Sequence, residues 1–137
     1  MSLSHPGHQA FFRSFDLKDY HDDVAGIRAR ARLALTGFGG DDVGDVLLVL
    51  SELVCNAFDH GRGPRRLRLH VAPDPCVVRC EVDDTAPELP VLGRSRLGGC
   101  RGRGIVMVDR LATSWGTSPG DGCKTVWAEL RCELGPS

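Results

Sequence analysis

Two hydrophobic periods alternate along the chain, and the switches between them mark its elements. Phe11, Phe12 and Phe15, with Arg13 and Ser14 between them, predict a first strand. From Tyr20 the period lengthens: Val24, Ile27, Ala31 and Leu35 recur at helical spacing, and Gly37, Gly39 and Gly40 stop that helix. Asp41 is placed to cap a second helix, whose apolar face runs Val43, Val46, Leu47, Leu50, Leu53 or Val54, and Ala57. It closes at His60-Gly61, with glycine where a left-handed C-cap belongs.

After Gly63-Pro64 the period falls to two. Leu67, Leu69 and Val71 alternate with Arg66, Arg68 and His70, as on a half-exposed strand. Pro73-Asp74-Pro75 makes a tight turn into a second strand with Val78, Cys80 and Val82 on one face, and so short a connection makes the pair antiparallel. Residues 85–102 then lose all period, and a stretch that long in a small domain points to function or disorder. Ile105, Val106, Val108 and Leu111 predict a short helix. Ala112 to Trp115 and Cys123 to Cys132 predict a closing hairpin around Ser118-Pro119-Gly120-Asp121-Gly122. This order implies an α/β sandwich: one mixed, mainly antiparallel sheet with helices on one face.

Composition narrows the setting. At 137 residues the chain fits one domain, 1–137, with residues 1–9 expected to form a flexible tail. A formal net charge of −1 gives no bulk attraction to nucleic acid or membrane, and no apolar run is long enough to span a bilayer. Met1-Ser2-Leu3-Ser4-His5-Pro6 lacks the charged and apolar regions of a signal peptide, so a cytoplasmic protein is expected. Cys55, Cys76, Cys80, Cys100, Cys123 and Cys132 form no C-x-x-C pair, and the expectation is six reduced thiols serving as small hydrophobes.

Three clusters carry candidate chemistry. In Ser51-Glu52-Leu53-Val54-Cys55-Asn56-Ala57, Glu52 and Asn56 are four residues apart and stack on one helical face. A carboxylate and an amide there suit a general base and a Mg²⁺ ligand for phosphoryl transfer, although a solvated polar face would look the same. In Val82-Asp83-Asp84-Thr85-Ala86-Pro87-Glu88, Asp84 shares the parity of Val78, Cys80 and Val82 and should point to the covered face. There it needs donors, and an exocyclic amine of adenine is one; capping the next turn is the plainer use. Gly98-Gly99-Cys100-Arg101-Gly102-Arg103-Gly104 opens into a helix, with Arg94 and Arg96 nearby, and suits phosphate. It has neither Walker nor dinucleotide-motif spacing. Gly122-Cys123-Lys124-Thr125 resembles a phosphate loop only superficially, because it runs into a strand.

Taken in order, these clusters resemble the boxes of the gyrase and histidine-kinase ATPase superfamily. Glu52-x-x-x-Asn56 is similar to the N box, Asp84 to Pro90 to the D-x-G-x-G box, Gly102-Arg103-Gly104 to the next glycine box, and Gly122 to Thr125 to the last. The texture of Leu50 to Ala57 and of Lys124 to Leu130 looks most like the stand-alone anti-sigma regulatory ATPases of actinomycetes. The resemblance implies that ATP is bound by Asn56, His60, Asp84, Ala86, Gly102, Arg103, Gly104 and Thr125. It gives Asn56 to Mg²⁺, Asp84 to adenine, and Thr125 to the adenine side of the pocket. Glu52 would orient or deprotonate a serine hydroxyl on a STAS-type anti-anti-sigma antagonist, and a sigma factor is the other implied partner. A homodimer is an assembly the family suggests.

Ala86 and Glu88 depart from the pattern by replacing both glycines of the D-x-G-x-G box. The rival to a serine/threonine kinase is a nucleotide-gated partner-switching module with no phosphoryl transfer; Glu52, which a pure binder does not need, favours the kinase. A nucleic-acid surface built on Arg62, Arg65, Arg66 and Arg68 is the weakest reading, since these arginines lack interleaved aromatics and fall where an exposed strand face would put them.

Overall fold

The computed structural model describes residues 10–20, 23–37, 40–60, 63–73, 75–85, 105–120 and 122–132. Five strands form one sheet in the order β1-β2-β3-β5-β4. They are β1 (Phe11–Asp16), β2 (Arg66–Pro73), β3 (Cys76–Asp84), β4 (Ser114–Gly120) and β5 (Cys123–Arg131). Three α-helices accompany them: α1 (Val24–Ala34), α2 (Gly40–His60) and α3 (Ile105–Leu111).

Every pairing in this sheet is antiparallel, so the mixed sheet expected from the element order reduces to its antiparallel part. The reason lies in the return path. The chain leaving α3 reaches the far edge as β4, and the β4–β5 hairpin then turns back between that edge and β3. Gly122 makes the turn possible with φ at +69°, a conformation that favours glycine. Pro119 lies in β4, an edge strand, where a missing N–H costs least.

The helices begin differently from their predicted starts. Asp16 accepts from the Lys18 N–H at 3.1 Å and caps a short 3₁₀ turn, Leu17–Asp19, which the period from Tyr20 does not foretell. α1 starts after Asp23, whose side chain accepts from the Gly26 N–H at 3.0 Å. α2 begins at Gly40, which puts Asp41 and Asp42 inside its first turn, where carboxylates oppose the positive end of the helix dipole.

One face of the sheet is covered. Leu67, Leu69 and Val71 of β2, Val78, Cys80 and Val82 of β3, and Val126, Ala128 and Leu130 of β5 are all buried in one core. α2 lies against β3 and β5, and α1 and α3 pack on α2. Val46, Leu47, Leu50, Leu53 and Val54 form the helix side of the contact. Each such side chain contributes about 1.5–3 kcal/mol when fully buried. Among the described residues no helix is long and apolar enough to cross a membrane.

The other face of the sheet carries a charged lattice. Arg68 donates to Glu81 at 3.0 Å and grips both carboxylate oxygens of Asp83. Arg79 donates to Glu81 at 2.6 Å and to Glu129 at 2.8 Å, while its guanidinium stacks 4.3 Å over the Trp127 ring. His70 Nε2 lies 2.9 Å from Glu81 Oε1. Trp127 lies flat across its neighbour: a Cβ at Gly116 would sit 3.1 Å from the indole, so a larger residue there would have to displace the ring. Partial burial pushes the Glu81 carboxyl up, but hydrogen bonds from Arg79, Arg68 and His70 outweigh it and hold the pKa down at about 2.

A disulfide joins Cys76, the first residue of β3, to Cys132, just past β5. This overturns the expectation of six thiols. The two residues are far apart in sequence, but antiparallel pairing of β3 with β5 brings them side by side, and the Cys132 N–H donates to the Cys76 carbonyl at 3.1 Å. Cys55, Cys80 and Cys123 stay outside any disulfide. Burial, with the Glu81 charge adding to it, pushes the Cys80 thiol up to about 12 and keeps it inert. Cys100 lies outside the described residues.

Two outcomes follow from this architecture. The Cys76–Cys132 bond closes a loop of sequence separation 56, so Cys132→Ser should lower unfolding stability by roughly 2–4 kcal/mol. An intact mass equal to that of the all-thiol chain would show that the bond does not form. Because the folded-state pKa of Glu81 lies below its unfolded value, its stabilising effect is present above about pH 4.5 and lost as pH falls toward 2. Glu81→Gln should therefore flatten the acid limb of a stability–pH curve, removing up to roughly 3 kcal/mol at neutral pH. An acid limb identical to wild type would contradict this.

Candidate functional site

Burial is what distinguishes the site. Among the described residues three polar or charged side chains are buried, Asn56 at 9 %, Asp84 at 2 % and Lys124 at 7 % exposure. Placing such groups out of water costs free energy unless each finds a partner.

Asn56 and Asp84 belong to one end of the molecule. Val43 and Val46 of α2 line a small pocket with Val78 and Cys132, which anchors the start of α2 at the disulfide end of the sheet. From Val43 to Asn56 the helix climbs about 20 Å. From Val78 to Asp84 the strand advances about the same distance. α2 and β3 therefore run in the same direction and deliver Asn56 and Asp84 to the end opposite the disulfide. The linker agrees with this: α2 ends at His60, and β2 begins at Arg66, directly opposite Asp83. Thr85 closes the same corner, its hydroxyl donating to the Gly63 carbonyl at 3.0 Å.

On α2, Leu53, Val54 and Ala57 enter the core, and Glu52 is half-buried one helical turn before Asn56. The Oδ1 atom of Asn56 is buried and has no hydrogen-bond partner among the described residues. An orphaned amide oxygen is a hard donor of the kind Mg²⁺ accepts, so the residue fits the ion that the N-box resemblance assigns to it.

Asp84, the last residue of β3, stands directly opposite Lys124 in the β3–β5 register. Lys124 Nζ donates to Asp84 Oδ1 at 2.9 Å, and the two side chains retain 8 % and 3 % exposure. The parity argument for Asp84 thus holds: it points to the covered face. The sequence signal for Lys124 is that the alternation Val126, Ala128, Leu130 extends back to it, and a covered lysine needs an anion.

Thr125 is not brought to Asp84. As the next residue along β5 it falls on the charged face, where its hydroxyl donates to Asp83 Oδ1 at 2.6 Å. The position across from Asp84 is held by Lys124. Gly122 to Thr125 opens a strand rather than a helix, as its sequence context indicated. Ala86, Gly102, Arg103 and Gly104, with Glu88, lie outside the described residues, as does the side chain of His60.

A long helix with an asparagine and an acid one turn apart, laid on an antiparallel sheet whose strand ends in a buried aspartate, defines an α/β ATPase-type domain. The chain belongs to the histidine kinase-like ATPase domain family, which it matches over residues 18–130. None of the curated proteins matches it. Among solved structures it is similar to the RsbU and RsbW domains of Rv1364c from Mycobacterium tuberculosis, with a TM-score of 0.62 and 21% identity. That likeness, which is one of fold, covers 93% of this chain and 34% of the solved one, so the chain spans about a third of its neighbour's length.

The orphaned amide makes an unusual mutational prediction. An unsatisfied buried polar atom costs about 1–3 kcal/mol, so Asn56→Leu, which removes it at similar volume, should leave unliganded stability unchanged or higher in denaturant unfolding. A large loss of stability would mean that the amide serves the fold and not a ligand.

Proposed function

We propose that this chain is a Mg-ATP-dependent protein serine/threonine kinase that acts as an anti-sigma regulatory factor, phosphorylating a STAS-type anti-anti-sigma antagonist and alternatively holding a sigma factor. The observation that carries the reading is the carboxylate of Glu52 placed one turn before Asn56, whose buried Oδ1 has no partner among the described residues. Membership of an ATPase family supplies the nucleotide. The kinase and its partners are supported by the N-box, D-x-G-x-G and glycine-box resemblances.

In this reading Asn56 donates its amide oxygen to Mg²⁺. Among the described residues no group of three or more His, Cys, Asp or Glu side chains is gathered as an all-protein metal cage would require. One protein ligand beside phosphates and water is an ordinary arrangement for this ion. Bound Mg-ATP supplies the γ-phosphoryl group. Glu52 accepts the proton of the antagonist's serine hydroxyl as its oxygen bonds to phosphorus, and the bond to the bridging oxygen of ADP breaks. Phosphoryl transfer asks mainly for positioning and charge neutralisation, and a helix fixed along its length by core packing provides the first. Asp84 would accept from the adenine amine, the role that the D-x-G-x-G resemblance gives it.

Glu52→Ala should keep ATP affinity while lowering transfer to the cognate antagonist by about 10²–10⁴, the range for a general base. Asn56→Ala should weaken Mg-ATP binding and transfer together. The check is single-turnover transfer from labelled ATP to a STAS-domain partner recovered from the native cell, with nucleotide affinity measured in parallel. Equal transfer by wild type and Glu52→Ala, or binding of the antagonist without transfer, would leave a nucleotide-gated binding module in which Glu88 is the first substitution to revert.

A further inference from the structure

Helix α1 turns Ile27, Ala31 and Leu35 into the core. Helical rotation puts Ala25, Ala29 and Leu33 on the opposite face, with Arg30 along one side of that row and Arg28 and Arg32 along the other. All of these outward residues are exposed. Leu33 keeps 73 % exposure, more than Phe12, the other large hydrophobic left in the open among the described residues. The charge on this face has one sign and little use inside the fold. No acidic residue occurs between Asp23 and Asp41. Among the described residues Arg28, Arg30 and Arg32 take part in no ion pair, whereas Arg66, Arg68 and Arg79 of the sheet each hold a carboxylate. Arg32 lies in the last turn, where the helix dipole favours a cation, but Arg28 and Arg32, four residues apart, repel each other. Leu35, two residues past Leu33, lines the small pocket beside Cys132, so this face lies toward the disulfide end and away from Glu52 and Asn56.

We infer that the outward face of α1 is a docking surface for an acidic amphipathic helix of a partner protein. The inference goes beyond the kinase reading and does not depend on it. Charge complementarity selects the occupant. Arg30 on one side of Leu33, with Arg28 and Arg32 on the other, calls for carboxylates along both flanks of the partner. Leu33 calls for an apolar row between those flanks. A helix meets both demands at once, because its residues three and four apart stand above one another, as Ala29 and Leu33 do here. The alanines beside Leu33 leave room for the partner's own side chains. A nucleic acid would take up the arginines but has no use for a leucine set among them. A membrane needs a wider apolar face than one leucine provides.

The test uses the full chain and a fluorescent synthetic helix, a leucine row flanked on both sides by glutamates, with binding read by anisotropy. Wild type should bind this peptide at low salt and bind it more weakly at roughly 1 M salt, where charges are screened within about 3 Å. The same peptide with glutamine for every glutamate should bind wild type at least roughly tenfold more weakly, since the matched charges are gone. That comparison needs no variant to fold. Leu33→Ser should weaken binding by roughly 10- to 100-fold, the scale of one buried leucine. The double variant Arg30→Glu, Arg32→Glu should abolish binding, and Arg30→Lys, Arg32→Lys should keep most of it. These positions are exposed, and matching thermal unfolding of wild type and variants checks that all are folded. Equal binding of the glutamate and glutamine peptides overturns the inference, as does wild-type affinity in folded Leu33→Ser. Absence of peptide binding at low salt does the same. Tighter binding to phosphatidylglycerol vesicles or to a DNA duplex than to the peptide also overturns it, making the face a lipid or nucleic-acid surface instead.

Discussion

Everything in this molecule is referred to the seam where α2 lies along β3 and β5. The helix must present an unbroken apolar stripe from Val43 to Ala57 to cover the sheet. The same helix must carry Glu52 and Asn56 at its far end. Because the stripe is continuous, the helix cannot slide without unpacking side chains worth about 1.5–3 kcal/mol each. Packing therefore sets the position of the polar pair, and the site inherits its precision from the core.

The distribution of buried polarity separates scaffold from site. Over most of the covered face the sheet obeys a simple alternation, with aliphatic side chains inward and charged ones outward. The outward charges are satisfied in a lattice centred on Glu81, Arg68 and Arg79, which ties β2, β3 and β5 together at partly solvated positions. Among the described residues the buried polar and charged side chains are Asn56, Asp84 and Lys124, at the end where Asp84 and Lys124 face each other and α2 turns from leucine to asparagine. Local departures from a rule that the rest of the fold obeys are where function is most economically sought.

Much of this was legible from residue patterns. The strands of the β2–β3 hairpin follow from the period of Leu67, Leu69 and Val71 against Val78, Cys80 and Val82, and α2 follows from its stripe, because both are local signals. The parity of Asp84 was legible for the same reason. What escaped is non-local. The Cys76–Cys132 bond depends on β3 pairing with β5 rather than with β4, a choice that no spacing encodes. The antiparallel character of the whole sheet depends on that same choice. The Asp84–Lys124 pairing is non-local too, because the register of β3 with β5 decides which neighbour of Gly122 faces Asp84. The 3₁₀ turn before α1 escaped because its three residues, Leu17–Asp19, are too few to show a period.

The disulfide also changes what it means to cut this chain. Residues 76 and 132 enclose a covalent ring that contains β3, α3, β4 and β5 as well as the stretch from 86 to 104. A protease that cleaves one peptide bond anywhere inside that ring opens it without releasing a fragment. The nicked molecule keeps both of its pieces, with β3 still paired to β5, and on a denaturing gel it separates into two bands only after a reductant has opened the Cys76–Cys132 bond.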